Sequence, residues 1–349
     1  MGHRGADEKY MKRCLDLAAK GAGEVAPNPM VGCVIVHHDR IIGEGYHRKY
    51  GEAHAEVNAI KSVPDLQLLK ESTLYVNLEP CSHHGRTPPC SQLIINKEIP
   101  DIVIGTADTN PLVAGKGITA LRDAGRNVTT GILQEECLFL NRRFFTFHHE
   151  KRPYVILKWA RTSDGFIDIQ RDNPGQGEIN WITDENARTL VHKWRSEEQA
   201  ILVGSETVLK DNPRLTARDW PGKDPVRIIV DRRQRVSPGH NVMDHSVETM
   251  IISSENKTEG NLEWINLPAP GSLVPQILHL LYQKEIQSVI VEGGAYTLNR
   301  FIESGLWDEA RVFTGNKTFG DGIKSPELPA EPAQELQIAG ALLHIWFNK

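Results

Sequence analysis

The chain has 349 residues, of which 40% are hydrophobic and 24% charged, and its formal net charge is −5 at pH 7. This length favours two domains, and the acidic balance gives no general electrostatic basis for binding nucleic acid or an anionic membrane. The sequence contains no run of 18 apolar residues, which predicts no membrane-spanning helix, and its first residues lack the apolar core of a signal peptide.

The first 150 residues alternate between helical and strand patterns. Gly21 is expected to end the first helix in a left-handed conformation. In chain order the patterns predict a helix, a turn, a β-hairpin, a helix, a strand, a helix, a strand, a helix, a strand and a helix, at residues 8–21, 26–30, 31–47, 54–63, 72–80, 88–99, 101–106, 116–125, 127–132 and 134–145. This alternation predicts a layered α/β domain with a largely parallel sheet.

A polar segment that ends in Pro153 places a domain boundary near residue 150. A second α/β pattern follows it. The predicted strands lie at residues 153–160, 199–204, 225–231, 248–254, 287–294, 309–315 and 341–347, and the predicted helices at residues 186–195, 274–284 and 297–305.

Five cysteines are spread along the chain, and this odd, sparse count argues against a disulfide framework and fits a reducing cytoplasm. Cys14, Cys33 and Cys137 lie in apolar patterns and are predicted to be buried hydrophobic residues. Cys81 and Cys90 lie in loop-like sequence, which makes a metal site the leading interpretation for them.

The segment HAEVNAI supplies His54 and Glu56, and LEPCSHHGRTPPC supplies Cys81 and Cys90. One imidazole nitrogen and two thiolates are a zinc donor set, and a catalytic zinc with three protein ligands keeps one position for water. Glu56 is then available as the general acid and base that carries protons during base deamination. The pattern therefore predicts a zinc-dependent deaminase.

Two alternatives remain open at this stage. Eight residues separate the cysteines, whereas the common deaminase motif has two, so His83 or His84 could complete a purely structural zinc site. A deaminase acting on nucleic acid, with the second half as a binding module, is the other alternative. It needs a basic, aromatic-rich surface, whereas this chain is acidic and only 7% aromatic.

The motifs HAEV and EPCSHHGRTPPC closely resemble those of the bifunctional riboflavin-biosynthesis deaminase/reductase family, in which the long cysteine spacing is the rule. The segments PNPMVGCVIV, NPLVAGKGI, LNRRFF, LKWARTSDGFI, HKWRSEEQAILVG and VEGGAYTLNRFI extend the resemblance over nearly the whole chain. It implies a cytidine-deaminase-like three-layer α/β/α domain over residues 1–147 and a dihydrofolate-reductase-like α/β domain over residues 151–349.

The resemblance also implies the chemistry. Zinc-dependent hydrolytic deamination of 2,5-diamino-6-(5-phosphoribosylamino)pyrimidin-4(3H)-one would be followed by NADPH-dependent reduction of the ribosyl side chain. The expected partners are this small-molecule substrate and further copies of the chain, which would associate through the C-terminal domain in the cytoplasm, with no nucleic acid and no membrane.

In the deaminase half, the family motifs place substrate contacts at Asn28, His47, Arg86 and Thr87, and an additional candidate contact at Asn110. An amide such as Asn28 can both donate to and accept from a pyrimidine edge, although it could instead only hold a proline-flanked turn. Arg86 could be a phosphate partner or a solvated loop charge. The family often has a second Asn where this chain has Met30.

In the reductase half, no G-x-G-x-x-G motif follows a strand, so a Rossmann site has little support. A strand, Gly293-Gly294 and a helix suit phosphate binding at a helix N-terminus. The resemblance assigns the cofactor loop to Gly294, Ala295, Tyr296, Thr297, Leu298, Asn299 and Arg300, further cofactor contacts to Ala160, Trp181, Thr207 and Asp211, and substrate contacts to Arg195, Leu215, Arg218 and Glu292. Trp181 could instead be a core aromatic residue, and Arg195 could simply favour the end of its helix.

The reductase half also departs from the family pattern. Ile179 replaces a common Ser, and residues 161–165 read RTSDG rather than ASLDG. Arg232 stands where a Ser often contacts the cofactor, and we hypothesise that this arginine meets the 2′-phosphate of NADPH. Asp211 and Glu292 are the candidate proton donors for reduction, and the sequence does not decide between them.

Overall fold

The computed structural model describes residues 2–82, 88–108, 115–170, 180–268 and 271–348. The chain divides into two units, Met1–Lys151 and Arg152–Lys349. Among the helices in these ranges, none combines the length and apolar composition that crossing a bilayer requires.

The first unit has a five-stranded sheet with helices on both faces. Its helices are α1 (Gly2–Ala18), α2 (Ala55–Ser62), α3 (Cys90–Asn96), α4 (Lys116–Asp123), α5 (Gln134–Leu140) and α6 (Arg142–Glu150), with 3₁₀ turns at Ala19–Gly21 and Leu66–Glu71. Its strands are β1 (Gly32–His37), β2 (Arg40–Tyr46), β3 (Thr73–Leu78), β4 (Asp101–Thr106) and β5 (Asn127–Thr130), in the order β2-β1-β3-β4-β5.

Alternating side chains of β1 enter two separate cores, because successive strand residues point to opposite faces. Cys33 and Ile35 pack with apolar residues of α2, α3 and α4, whereas Val34 and Val36 pack with residues of α1 and with Cys137 of α5. This gives the α/β/α layering that the resemblance implied. The burial predicted for Cys14, Cys33 and Cys137 is confirmed, since all three are fully buried.

The sheet of this unit is largely parallel in strand direction, as predicted, since β2, β3, β4 and β5 run the same way, but β1 runs against them. Strands β3, β4 and β5 are parallel, but β1 is antiparallel to both β2 and β3. The tight hairpin reverses the chain after β1, and α2 then carries it back across β1, so that β3 runs parallel to β2 and antiparallel to β1.

Two helix boundaries also differ from the predicted ones. Gly21 does not take a left-handed conformation; the helix tightens into a 3₁₀ turn, and Gly23 carries the positive φ of 77°. A Cβ atom at Gly21 would lie 2.8 Å from the carbonyl oxygen of His47. Glycine is therefore needed at this position because the His47 backbone packs too closely for a side chain. The single helix predicted at 134–145 is two helices, separated at Asn141.

The second unit has a ten-stranded sheet in the order β11-β12-β10-β9-β8-β13-β6-β14-β17-β16. Its strands are β6 (Tyr154–Arg161), β7 (Phe166–Asp168), β8 (Ala200–Gly204), β9 (Val226–Val230), β10 (Thr249–Ser253), β11 (Lys257–Glu259), β12 (Leu262–Asn266), β13 (Ser288–Val291), β14 (Glu309–Gly315), β15 (Ile323–Lys324), β16 (Gln334–Ile338) and β17 (Ala341–Phe347). Its helices are α7 (Glu185–Glu197), α8 (Ser205–Asp211), α9 (Leu273–Gln283) and α10 (Ala295–Ser304), with a 3₁₀ turn at Asn241–Met243.

The seven strands from β12 to β14 are parallel, and the outer strands β11, β17 and β16 pair antiparallel. Apolar clusters cover both faces of this sheet. In open sheets of this kind, ligands bind beyond the carboxyl ends of the parallel strands. Helix α8 and the short strands β7, β11, β12, β15 and β16 were not predicted from the sequence; α8 follows β8 without a connecting loop.

Candidate active sites

The three predicted zinc ligands meet in the first unit. The Nδ1 atom of His54 lies 3.6 Å from the Sγ of Cys81 and 3.3 Å from the Sγ of Cys90. Zinc bonded to one nitrogen and two sulfurs at tetrahedral angles requires separations of about 3.5 Å between these atoms. His54 is the N-cap of α2 and Cys90 is the first residue of α3, so both ligands are fixed by helix ends.

The surroundings of Cys81 favour its thiolate form, which is the form that binds zinc. The Cys90 thiol, the His54 ring and the Cys90 backbone N–H, which lies 3.3 Å away, all hydrogen-bond to the Cys81 sulfur. These bonds lower the pKa of Cys81 well below its usual value. The donor set and its hydrogen bonding therefore fit a zinc ion.

Glu56 lies in the first turn of α2, two residues after His54, and only 3% of it is exposed. Burial, and to a smaller extent the negative charge of Cys81, raise the pKa of Glu56 to about 6. A carboxyl group with a pKa near the working pH can take up a proton and release it again.

His47 and Asn28 lie together beside the metal ligands. The Nδ1 of His47 donates to the carbonyl oxygen of Ala53 at 3.2 Å, so its Nε2 accepts from the Asn28 amide at 3.1 Å. The His47 ring stands edge-on to His54 with centroids 5.5 Å apart. Burial lowers the pKa of His47, which favours the neutral tautomer that this hydrogen-bond pattern requires.

Several predicted residues fall outside the described ranges. They are Arg86 and Thr87 among the substrate contacts, Asn110 as the additional candidate contact, His83 and His84 as the rival metal ligands, and Ile179 as a departure from the family pattern.

Two buried asparagines that sequence reasoning missed hold the loop that carries Asn28. Asn141 accepts from the backbone N–H of Met30 at 2.8 Å and donates to its carbonyl oxygen at 2.9 Å. Asn77 donates to the same carbonyl at 3.1 Å and accepts from the N–H of Gly32 at 2.8 Å. Met30 is thus held through its backbone, which explains why this loop tolerates methionine at that position.

Glu79, which directly precedes the Pro80-Cys81 pair, is a second group that the sequence did not single out. Its buried carboxylate accepts backbone N–H groups from Asp108, Gly115, Gly117 and Ile118 at 2.8–3.1 Å. A carboxylate at the start of α4 also complements the positive end of the helix dipole. Glu79 therefore ties the strand that leads into the metal loop to α4.

The second unit contains a cavity of about 640 Å³ beyond the carboxyl ends of β6, β8 and β13. Eleven of the residues assigned by resemblance line it, namely Ala160, Trp181, Arg195, Thr207, Asp211, Leu215, Arg218, Glu292, Gly294, Ala295 and Tyr296. Trp181 is 42% exposed, with the Arg188 guanidinium 4.5 Å from its ring centre, so it is not a core aromatic residue.

A buried charge cluster lies in the wall of this cavity. Arg195 donates from Nε and Nη2 to the two oxygens of Glu292 at 2.8 and 2.9 Å, and Lys158 donates to Glu292 Oε2 at 3.3 Å. Burial alone would raise the pKa of Glu292, but the charges of Arg195 and Lys158 outweigh it and lower this pKa to about 2. Arg195 is therefore more than a helix-ending cation, and Lys158 is a cavity residue that the sequence did not indicate.

The Gly293-Gly294 turn leads into α10, and the N–H of Gly294 donates to the Thr207 hydroxyl at 3.1 Å. A Cβ atom at Gly293 would lie 2.7 Å from the Cβ of Thr297, so only glycine fits there. Among the described residues, no side chain caps the first turn of α10, and the amide groups of such a turn are available to a phosphate. The turn and the cavity together fit a phosphate-bearing nucleotide such as NADPH.

The cavity-lining loop that contains Leu215 and Arg218 is held by the carbonyl group of Thr216. The Thr216 oxygen accepts from His192 Nδ1 at 2.8 Å and from Arg195 Nη1 at 3.1 Å. The preceding residue, Leu215, is buried with a φ of 57°, an uncommon conformation for a residue other than glycine. Arg218 is about half exposed and lies 3.9 Å from Asp219.

The remaining assigned residues do not line the cavity. Arg232 is exposed just after β9, and Leu298 is fully buried with its N–H bonded to the Gly294 carbonyl. Thr297, Asn299 and Arg300 lie on α10, where Arg300 pairs with Glu303 and lies over the Tyr296 ring.

Two family models match the chain, one in each unit. Residues 4–106 match the cytidine and deoxycytidylate deaminase zinc-binding region, and residues 153–341 match the RibD C-terminal domain.

Relatives similar to the chain over most of its length include two curated proteins and two solved structures. The riboflavin biosynthesis protein RibD of Aquifex aeolicus is 40% identical over 95% of this chain and 93% of its own length, and that of Escherichia coli is 37% identical over 91% and 90%. The diaminohydroxyphosphoribosylaminopyrimidine deaminase/5-amino-6-(5-phosphoribosylamino)uracil reductase of Thermotoga maritima has a TM-score of 0.89 at 37% identity, covering 99% of this chain and 100% of that one. Acinetobacter baumannii RibD has a TM-score of 0.87 at 30% identity, with 99% of each chain covered.

Proposed function

Since the chain belongs to the RibD family of bifunctional riboflavin-biosynthesis deaminase/reductases, we propose that residues 1–147 form its deaminase domain and residues 151–349 its reductase domain. The protein is a zinc- and NADPH-dependent enzyme of riboflavin biosynthesis. It hydrolyses the 2-amino group of 2,5-diamino-6-(5-phosphoribosylamino)pyrimidin-4(3H)-one to ammonia. It then reduces the ribosyl side chain of the resulting uracil to give 5-amino-6-(5-phosphoribitylamino)uracil.

For deamination, His54, Cys81 and Cys90 would hold the zinc ion. Zinc, when bound in such a site, lowers the pKa of water towards about 7. Glu56 takes one proton from the attacking water and delivers it to the ring nitrogen. It then takes the remaining proton from the added hydroxyl group and delivers it to the departing amine, so that the C–N bond breaks, ammonia leaves and a carbonyl group remains on the ring. The raised pKa of Glu56, about 6, suits both transfers.

Asn28 and His47 position the pyrimidine. Because the Asn28 amide nitrogen already donates to His47, its amide oxygen is the atom that we assign to the substrate's N–H groups. His47, held by Ala53, fixes the rotation of the Asn28 amide. Arg86 and Thr87, which follow the first metal-binding cysteine, remain proposed contacts to the phosphoribosyl group.

For reduction, NADPH supplies a hydride, and the domain must align the cofactor with the ribosyl C1′ atom. We assign the cofactor phosphates to the turn at Gly293 and Gly294, and the substrate phosphate to Arg218. Glu292 is held ionised by its two cationic partners, which argues against it as the proton donor. We propose instead that Lys158, whose pKa is lowered by burial, delivers the proton. Asp211, the other candidate from the sequence, lines the same cavity and is the alternative donor.

One observation carries this proposal: His54, Cys81, Cys90 and Glu56 converge in the first unit, while a separate cavity in the second unit carries the cofactor turn. The test is to supply the diaminopyrimidine substrate with and without NADPH and to identify each product. Ammonia and the phosphoribosyl uracil are expected without NADPH, and the ribityl product with it. Reduction of the side chain in the absence of NADPH, or no ammonia release in either mixture, would contradict the proposal.

All five cysteines are free, which supports a reducing compartment such as the cytoplasm. A homo-oligomer formed through the reductase domain is proposed from the family resemblance, and light scattering on the purified chain tests it. A monomer at micromolar concentration would contradict it.

A further inference from the structure

We propose that His37, His38 and Glu71 form a second site for a divalent transition-metal ion of the Zn²⁺ type, at the tip of the β1–β2 hairpin. Each residue offers one potential ligand atom, an imidazole nitrogen or a carboxylate oxygen, and these three atoms lie within 4.8 Å of one another. Two histidines and a glutamate are a zinc donor set that leaves a fourth position for water, and imidazole also suits nickel and copper.

The local backbone brings these side chains together. His37 ends β1, and His38 and Asp39 form the turn with positive φ angles of 45° and 60°. This turn places the two imidazole rings 4.1 Å apart at an angle of 63°. Glu71 ends the 3₁₀ turn Leu66–Glu71, and its Oε2 lies 3.7 Å from the Nε2 of His37.

The His37 ring nitrogen is the observation that points to a ligand. Its Nε2 atom is buried and makes no hydrogen bond within the described structure, and 3.7 Å is too long for one to Glu71. A shared zinc ion requires nitrogen–oxygen separations of about 3.4 Å. The Glu71 side chain is 75% exposed, so it can close this small difference without disturbing the core.

This site is distinct from the deaminase site. The deaminase residue His47 lies at the other end of the hairpin, where its N–H donates to the carbonyl oxygen of Val31, the residue before β1. β1 has six residues, which at about 3.3 Å per residue separate its two ends by roughly 16 Å. An ion bound at His37 and His38 would join the hairpin tip to the 3₁₀ turn, so we expect it to stabilise the first unit.

The test is a calorimetric titration of Zn²⁺ into full-length protein that already holds one equivalent of zinc. His3 lies close to the amino terminus and offers another imidazole, so every protein carries His3→Ala. We expect a second equivalent to bind. Replacing His37 or His38 by Ala should weaken it at least ~10-fold, since loss of a direct ligand exceeds the effect of losing an outer partner.

Glu71→Gln should also weaken the second equivalent. The matched control is His149→Ala, in the adjacent histidine pair His148-His149, because consecutive residues of helix α6 do not face each other. His149→Ala should leave the affinity for the second equivalent unchanged.

Thermal unfolding with excess Zn²⁺ checks folding and gives a second readout. The thermal midpoint should rise in the parent and stay constant in the His37 and His38 variants. Binding of one equivalent only, or a second equivalent that survives both histidine replacements, would overturn the proposal.

Discussion

Arg195 and Glu292 are joined by two parallel hydrogen bonds, with Nε 2.8 Å from Oε1 and Nη2 2.9 Å from Oε2. Lys158 adds a third donor to the same carboxylate at 3.3 Å. The cluster therefore carries two positive charges and one negative charge in the wall of the reductase cavity. This excess of positive charge suits a phosphorylated substrate. Within the cluster, Lys158 is the group that can release a proton, because Glu292 is ionised and an arginine stays protonated.

Lys158→Met should reduce NADPH oxidation with the deaminated intermediate by about 10²–10⁴-fold, the usual contribution of a positioned general acid. Ammonia release by the deaminase domain should be unchanged. Lys158→Arg keeps the charge but cannot give up its proton at ordinary pH, so it should restore substrate binding without restoring turnover. Equal activity of the Arg variant and the parent would exclude Lys158 as the proton donor.

The pH profile gives an independent check on Lys158. Burial lowers the pKa of Lys158 below its usual value, and the acid form is the one that donates. Reductase turnover should therefore fall as pH rises through this lowered pKa, while deamination keeps its own profile. An alkaline limb that persists unchanged in Lys158→Arg would assign the titration to another group.

Glu292→Gln should lower stability at neutral pH because it leaves two buried cations without their partner. The folded-state pKa of Glu292 is about 2, below the usual 4.5. The contribution of ionised Glu292 to the stability of the folded protein is therefore fully present above about pH 4.5 and is lost as pH falls towards 2. This shift corresponds to about 3 kcal/mol. The thermal midpoint of the variant should therefore lie below that of the parent at pH 7 and approach it near pH 2.

The control for this experiment is Glu327→Gln, because Glu327 is an exposed carboxylate of the same unit. The thermal midpoint of Glu327→Gln should equal that of the parent at every pH. If the thermal midpoints of Glu292→Gln and the parent differed by the same amount across the acid range, the neighbours of Glu292 would not lower its pKa.

Asn141→Leu should raise KM for the diaminopyrimidine substrate, because the loop carrying Asn28 loses the bonds that hold Met30. The partly buried N–H group of Met30 would lose its acceptor at a cost of roughly 1–3 kcal/mol, while its carbonyl oxygen would keep the bond from Asn77. Reductase kinetics should not change. Asn127→Ala is the matched control, since this asparagine makes an exposed bond to Asp101 in the same unit. An unchanged KM in a folded Asn141 variant would remove the positioning role.

Arg232→Ala should reduce the preference of the reductase for NADPH over NADH if Arg232 meets the 2′-phosphate. The exposed neighbour Arg233, replaced by Ala, controls for the general loss of one positive charge on this loop. The ratio of kcat/KM for the two cofactors is the measurement. The same ratio in both variants and the parent would reject the hypothesis.

The sequence was most informative where function depends on neighbouring residues. His54 and Glu56 are two positions apart, and both cysteines lie in one short segment, so the metal centre can be recognised from local patterns. The buried strands β3 and β4 are short, mainly apolar segments bounded by loop residues, and their positions were predicted closely.

The sequence was least informative where contacts join distant residues. Asn141 lies 111 residues from Met30, and Lys158 lies 134 residues from Glu292. A single asparagine or lysine has no local pattern that distinguishes such a role. The antiparallel pairing of β1 with β3 was missed for the same reason, because strand direction depends on the path of the connecting helix α2.

The most direct measurement of the central claim is the activity of a Glu56→Gln variant that is shown to contain its zinc. Ammonia release from the diaminopyrimidine substrate should fall by several orders of magnitude, because the amide cannot carry the proton. NADPH oxidation with the deaminated intermediate should remain at the parental rate. Unchanged ammonia release, or loss of both activities in a folded, zinc-containing protein, would contradict a deaminase centre built on Glu56 and independent of the reductase cavity.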